Sequence, residues 1–285
     1  MTTIVDTHVH VVARDRERYP LAPGVGVHAW YDEQPADAEA LLGEMDKAGV
    51  HATIMVQGHG AYSYDNSYCA DARTAAPDRL ASVSIIDMTR PDRNELLTYW
   101  AQRGMGGTRL FHIPIPEKPW LDDDATLPFW HQIERLGIRA NICIVRRDLS
   151  RLARLLEWAP PVPISLDHCG LIEIPGFDAT RAQLEEVLSL ARFSNLHLKV
   201  STNVFTFGPQ IGLSPPALLR ELADAFGADR LMWCSDWPQV HDRPYTQLVN
   251  EGVEAGAQLS DSERDSYLGG TALSIWPELK PSSHS

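Results

Sequence analysis

Cysteine is scarce in this chain: among 285 residues there are four, Cys69, Cys143, Cys169 and Cys234, with no Cys-x-x-Cys spacing. That argues against a disulfide framework and against a structural zinc site, and reduced thiols are the expectation. Positive charge is also in short supply, with 25 Lys and Arg against 38 Asp and Glu and a formal net charge of −13. Such a chain lacks the clustered cations that displace counterions from phosphates, so neither nucleic acid nor an anionic membrane surface is an expected partner. No apolar run approaches the roughly 18 residues of a membrane span. No basic segment precedes an apolar stretch at the start, and cytoplasmic residence is the default expectation. Internal repeats and low-complexity linkers are missing, as is the Gly-x-Ser-x-Gly elbow of serine hydrolases.

What the chain does have is an ordinary globular balance, 44% hydrophobic and 22% charged residues. At this length that suffices to bury roughly three quarters of the extended surface. Short apolar, β-branched runs bounded by Gly, Pro or polar turns read as strands at residues 4–10, 52–57, 80–86, 107–113, 139–145, 163–168, 196–201 and 231–237. Between them, apolar residues at helical spacing mark residues 36–48, 67–76, 94–103, 127–136, 149–157, 179–191 and 216–226. Strict alternation predicts parallel strands with right-handed crossovers. The eight strand-forming runs predict a single (β/α)8 TIM barrel, one domain over residues 1–280 with a frayed tail at 281–285. A doubly wound open sheet is the runner-up, but it normally needs a glycine-rich turn after its first strand, where His8-Val9-His10 stands instead. Residues 13–35, with Pro20, Pro23, Gly24, Gly26, Trp30 and Tyr31, read as a long loop over the barrel mouth, a lid or pocket wall. Residues 260–267 read as one more helix, followed by a turn and a short apolar helix under the barrel.

Barrel enzymes build their sites at the C-terminal ends of strands, and polar segments fall there. Ile4-Val5 leads into His8-Val9-His10, whose imidazoles project to one side because strand side chains alternate. Two imidazoles on one face make a metal clamp or a polarising pair; the plainer alternative is two surface histidines. Asp167-His168, Lys199-Val200-Ser201 and Ser235-Asp236-Trp237-Pro238 end later strands. A cysteine nucleophile at Cys169 or Cys234 is the competing chemistry. Strand alternation turns Cys169 away from His168, and Cys234 would lie a layer deeper than Asp236, so both read as core thiols.

These pieces, with Asp65-Asn66 after the second strand and Gly107-Thr108-Arg109 on the fourth, resemble the amidohydrolase superfamily. Within it the chain is similar to the branch of 2-pyrone-4,6-dicarboxylate lactonase and sugar lactonases. The resemblance implies that His8, His10 and His168 gather around the reacting carbonyl or a metal, and that Asp236 takes a proton from the attacking water. It also implies that a metal, if present, is held by His8, His10, His168 and Asp236. Two-metal members usually carry a bridging Lys or Glu on the fourth strand and a His on the fifth. Here those strands hold Arg109 and Arg139-Ala-Asn-Ile-Cys-Ile-Val145, which leaves two expectations open, one divalent ion such as zinc or none.

Arg109 points to an anionic small-molecule substrate, because a planar guanidinium at the inner end of a strand matches a carboxylate; the alternative is an ion pair with a nearby Asp or Glu. His59, Tyr64 and Asn66 after the second strand and His112 after the fourth are candidates for the substrate wall. Lys199 reads as structural or supporting, His197 as a residue near the barrel bottom, and His241 as a residue of the last loop. The combined expectation is a hydrolase that opens a carboxylated lactone through Asp236-activated water and His-assisted polarisation. A metal-dependent decarboxylase and an amide hydrolase on the same scaffold are the alternatives, and homo-oligomerisation is left open.

Overall fold

In the computed structural model, which describes residues 2–23, 30–33, 36–113, 119–171 and 178–281, eight parallel strands follow one another around the sheet in sequence order. They are β1 (Val5–Val9), β2 (Ala52–Val56), β3 (Leu80–Ile85), β4 (Gly107–Phe111), β5 (Arg139–Cys143), β6 (Ile164–Leu166), β7 (Leu196–Val200) and β8 (Leu231–Trp233). The circle closes where the backbone beyond β8 meets β1. Asp236 N–H donates to the His8 carbonyl at 2.9 Å and His10 N–H to the Trp237 carbonyl at 2.8 Å. This is the predicted (β/α)8 barrel.

Strands covered on both faces need apolar residues throughout, which is why β2 and β3 are buried along their full length. The surrounding helices need one apolar stripe. Leu149–Trp158 turns Leu149, Leu152, Leu155 and Leu156 inward and leaves Arg154 outside. Asp37 caps Ala38–Ala48 by accepting from the Ala40 N–H, and the helix stops at Gly49, whose φ of 70° suits glycine. At the far end of the barrel, Val5, Ile54, Val83 and Met232 pack on Ala272, Ile275, Trp276 and Leu279, so the closing segment plugs the floor as expected. There the chain runs Asp261–Asp265, a wide turn over Ser266–Gly270, then Thr271–Ile275. Of the tail, residues 282–285 lie outside the described residues.

Several elements differ from expectation. β6 stops two residues short of its expected end at 168, and β8 four short of 237. The chain turns sharply there: His168, Cys169 and Asp236 have φ of 54°, 55° and 63°, in the left-handed region that costs a side-chain-bearing residue about 1–2 kcal/mol. The expected helix over 67–76 is Ser67–Ala72 followed by a tighter turn at Arg73–Ala75. Helices at Trp30–Glu33, His59–Tyr62, Thr202–Gln210 and Tyr245–Ala255 were not anticipated. Gly208 and Pro209 hide the third from a propensity argument.

Candidate active site

His8 and His10 do share a face, with ring centroids 5.0 Å apart, and the His168 ring lies 4.9 Å from His8. Asp236 Oδ1 points at the pair, 3.4 Å from His10 Nε2 and 3.8 Å from His8 Nε2. All four residues are at most 4% exposed. His10 Nδ1 lies 2.8 Å from the Val56 carbonyl, which can only accept, so that nitrogen carries the proton. Nε2, the other ring nitrogen, is the one turned towards the carboxylate oxygen. Among the described residues, His8 Nε2 and Asp236 Oδ1 have no hydrogen-bond partner despite full burial.

Ligand atoms of His8, His10 and Asp236 all lie within 4.8 Å of one another. A histidine–histidine–carboxylate set that converges in a buried pocket, with an open side, suits a catalytic divalent ion such as zinc. The residues present fit that group. His168, also expected as a ligand, is near but outside this set, with its Nδ1 engaged with Ser201 Oγ at 2.8 Å.

Behind His8 lies a buried ionic cluster. Asp167 Oδ1 is 3.4 Å from His8 Nδ1 and 3.3 Å from Lys199 Nζ, while its Oδ2 accepts from Arg109 Nε at 2.8 Å. Burial alone would raise the Asp167 pKa, but Lys199, His8 and Arg109 outweigh it and hold the carboxyl well below its usual range. Burial likewise opposes ionisation of Asp236, and the neighbouring histidines, His168 first, outweigh it, so its pKa is also lowered. Burial pushes His8 well below the ordinary histidine value and lowers His168 too. The carboxylates are thus ionised and these imidazoles neutral, the forms that bind cations or polarise a carbonyl.

Asp6 holds the seam on which this geometry depends. Its Oδ1 accepts from the N–H groups of His8 at 3.2 Å and Ser235 at 3.0 Å, and its Oδ2 from the Tyr245 hydroxyl at 3.0 Å. Burial raises its pKa to about 6, against those hydrogen bonds.

A cavity of about 310 Å³ opens onto His10, His168, Arg109 and Asp236. His59 lines it, stacked on Phe111 at 4.8 Å. Tyr64 stands against the outer side of His59 and does not line it. Asn66, expected at the substrate wall, is fully buried and spends its amide on Ile85 N–H at 2.7 Å, Ile85 carbonyl at 3.1 Å and Tyr64 carbonyl at 3.2 Å, as a structural clamp would. His112, expected at the wall, is buried with Nδ1 3.0 Å from Asp148 Oδ2 and its ring edge-on to Trp120, and is not among the residues that line the cavity. Position after a strand did not reveal direction, because both follow the point where alternation ends.

Arg109 makes the ion pair given as the alternative, with Asp167, and also borders the cavity. Lys199 is buried in its ion pair, and His197 sits low on β7 beside Ser165. His241 lies outside the cavity, with Nδ1 3.0 Å from the Pro238 carbonyl. Cys169 turns its thiol to the Lys199 carbonyl; the separation from His168 comes from a tight turn rather than strand alternation. Burial raises the thiol pKa of Cys169 and Cys234, so neither offers a thiolate.

The sequence reading missed Trp30 as a particular wall residue, although it placed the long loop there. Trp30 stacks on His10 at 5.2 Å. Phe111, Asn203, Gln239 and Cys143 also line the cavity unannounced, and burial pushes the Cys143 thiol to about 12.

Fold and site together define a (β/α)8-barrel enzyme with its chemistry at the C-terminal strand ends. The chain belongs to the amidohydrolase family, whose model matches residues 5–277. It is 26% identical over 277 residues to L-fucono-1,5-lactonase of Burkholderia ambifaria, covering 94% of this chain and 90% of the relative. A solved structure from Pseudomonas putida, described as a 2-pyrone-4,6-dicarboxylic acid hydrolase, superposes with TM-score 0.77 at 22% identity, covering 99% and 100% of the two chains. A zinc-bound amidohydrolase of Burkholderia multivorans gives TM-score 0.71 at 21% identity, covering 96% and 99%.

Proposed function

We propose that this protein is a lactonase that opens a small, carboxylated cyclic ester. The observation that carries the proposal is the convergence of Asp236 Oδ1 with His8 Nε2 and His10 Nε2 beside a cavity bordered by His168 and Arg109. Similarity to a fucono-lactonase supports a lactone as the substrate, and Arg109 at the cavity supports its carboxylate.

Lactone hydrolysis needs an ionised base, donors for the developing oxyanion and an anchor for the ring. Asp236 is ionised at neutral pH and takes the proton as water adds to the carbonyl carbon. Its depressed pKa makes it a weak base, so the attacking water must be acidified by its surroundings. His8, His10 and Asp236 would hold a divalent cation, which when bound would supply that acidity and polarise the carbonyl. Asp167 fixes His8 from behind, as carboxylates orient metal-binding imidazoles. His168, oriented by Ser201, faces the oxyanion and the ring oxygen that leaves when the C–O bond breaks, and the product is a hydroxy acid. Arg109 gives its Nε to Asp167 and presents the rest of its guanidinium to a substrate carboxylate.

The test is proton release from a panel of carboxylated and neutral lactones, with protein as purified, after exhaustive chelation and after zinc return. Turnover that favours carboxylated rings and depends on the returned ion supports the whole reading. Turnover that survives chelation keeps the lactonase and removes the cation. Inertness towards every lactone, with turnover of an aromatic acid or an amide, overturns the proposal.

A further inference from the structure

β7 ends at Val200, and the next three residues each grip a different part of the site. Ser201 Oγ lies 2.8 Å from His168 Nδ1, Thr202 Oγ1 donates to the Ser235 carbonyl at 3.3 Å, and Asn203 Nδ2 donates to Asp236 Oδ2 at 3.1 Å. One short segment therefore ties the ends of β6 and β8 together. Asn203 belongs to the first turn of Thr202–Gln210, which is anchored by buried Val204, Phe205 and Phe207. Its side chain also borders the cavity.

The two oxygens of Asp236 have unequal surroundings. Oδ2 accepts from Asn203 and, at 3.4 Å, from Gln239 Nε2, whereas Oδ1 has no hydrogen-bond partner among the described residues and faces both histidines. A carboxylate's terminal torsion is broad, so burial alone does not choose which oxygen points where. A donor fixed on a helix does choose, and an amide does so without adding charge beside the base. We propose that Asn203 is a positioning residue for lactone hydrolysis, one that pins Asp236 through Oδ2 so that Oδ1 is presented to His8, His10 and the water. This rests on the lactonase reading given above, and Gln239 is the weaker second pin.

The experiment compares wild type, Asn203→Ala, Asn203→Asp and Gln239→Ala by crystal structure, Tm and lactone kinetics. In Asn203→Ala the Asp236 carboxylate should rotate away from its present orientation, kcat should fall about 10- to 100-fold, and KM should change less than about 3-fold. Asn203→Asp, which sets two carboxylates against each other, should lose at least as much, and Gln239→Ala less. Tm of Asn203→Ala should stay close to wild type, since an amide at a cavity wall supports little packing. If Asn203→Ala does not fold, Asn203→Ser serves for the same comparison. An unmoved Asp236, or an unchanged kcat, overturns the inference. If wild type turns over no lactone, the lactonase reading falls, and the orientation of Asp236 in Asn203→Ala alone decides whether Asn203 pins it.

Discussion

His10 Nε2 lies 3.4 Å from Asp236 Oδ1, while the other nitrogen of the same ring is held 2.8 Å from the Val56 carbonyl. With one proton fixed on the Val56 side, Nε2 meets the carboxylate lone pair to lone pair unless a second proton or a cation lies between them. Such an arrangement is stable when a cation stands between them.

Equilibrium dialysis against zinc should therefore find a single ion per wild-type chain, with affinity reduced by about 10-fold or more in His10→Gln and in Asp236→Asn. His112→Gln, away from the cavity, should bind as wild type does. Equal binding by wild type, His10→Gln and Asp236→Asn would place any cation elsewhere.

The pH profile follows from the direction of the histidine shifts. Burial lowers His168 from the ordinary 6.5 and His8 further, so both stay neutral as pH falls through 6.5. Asp236 remains ionised over that range. Activity, read as kcat/KM, should thus hold level from neutral pH to below 6.5 and decline only in more acid solution. An acid limb centred at or above that value would mean that these imidazoles titrate normally.

Asp6 gives a stability prediction of opposite sign to most carboxylates. Its pKa rises from 3.8 to about 6 on folding, because burial disfavours its charge. The stabilisation belongs to the protonated form: it is complete below 3.8 and lost as pH rises through about 6. Chemical denaturation of wild type against Asp6→Asn should show wild type losing about 3 kcal/mol relative to the variant between pH 4 and pH 7. A pH-independent difference would contradict a shifted Asp6.

Gly252 tests how the helix Tyr245–Ala255 docks. A Cβ there would stand 2.0 Å from Trp233 Nε1, at the end of β8. Gly252→Ala should cost about 1–3 kcal/mol or more and lower Tm by several degrees, because a filled core has no room for a methyl group. An unchanged Tm would show that the helix sits further from the barrel.

The barrel was legible because each strand is a short apolar run and each helix an amphipathic one. His8 and His10 were legible for a related reason: inside a strand, alternation fixes direction. That rule fails at the strand ends. His168 and Asp236 lie on left-handed turns, so the resemblance placed them where periodicity did not. Asn66 and His112 had suitable chemistry at suitable positions, yet one clamps Ile85 and the other pairs with Asp148. Asn203 gave no signal, since it starts a helix obscured by Gly208 and Pro209. The pairing of Arg109 with Asp167 joins residues 58 apart in sequence, and only the closed barrel brings them together.

The most direct test of the account is pH-stat hydrolysis of a carboxylated lactone by wild type and Asp236→Asn, with equal folding checked by circular dichroism. Wild type should release acid as the ring opens, and Asp236→Asn should lose about 100- to 10,000-fold in kcat with the fold intact. Equal rates in the two proteins would contradict the assignment of Asp236 as the group that activates water.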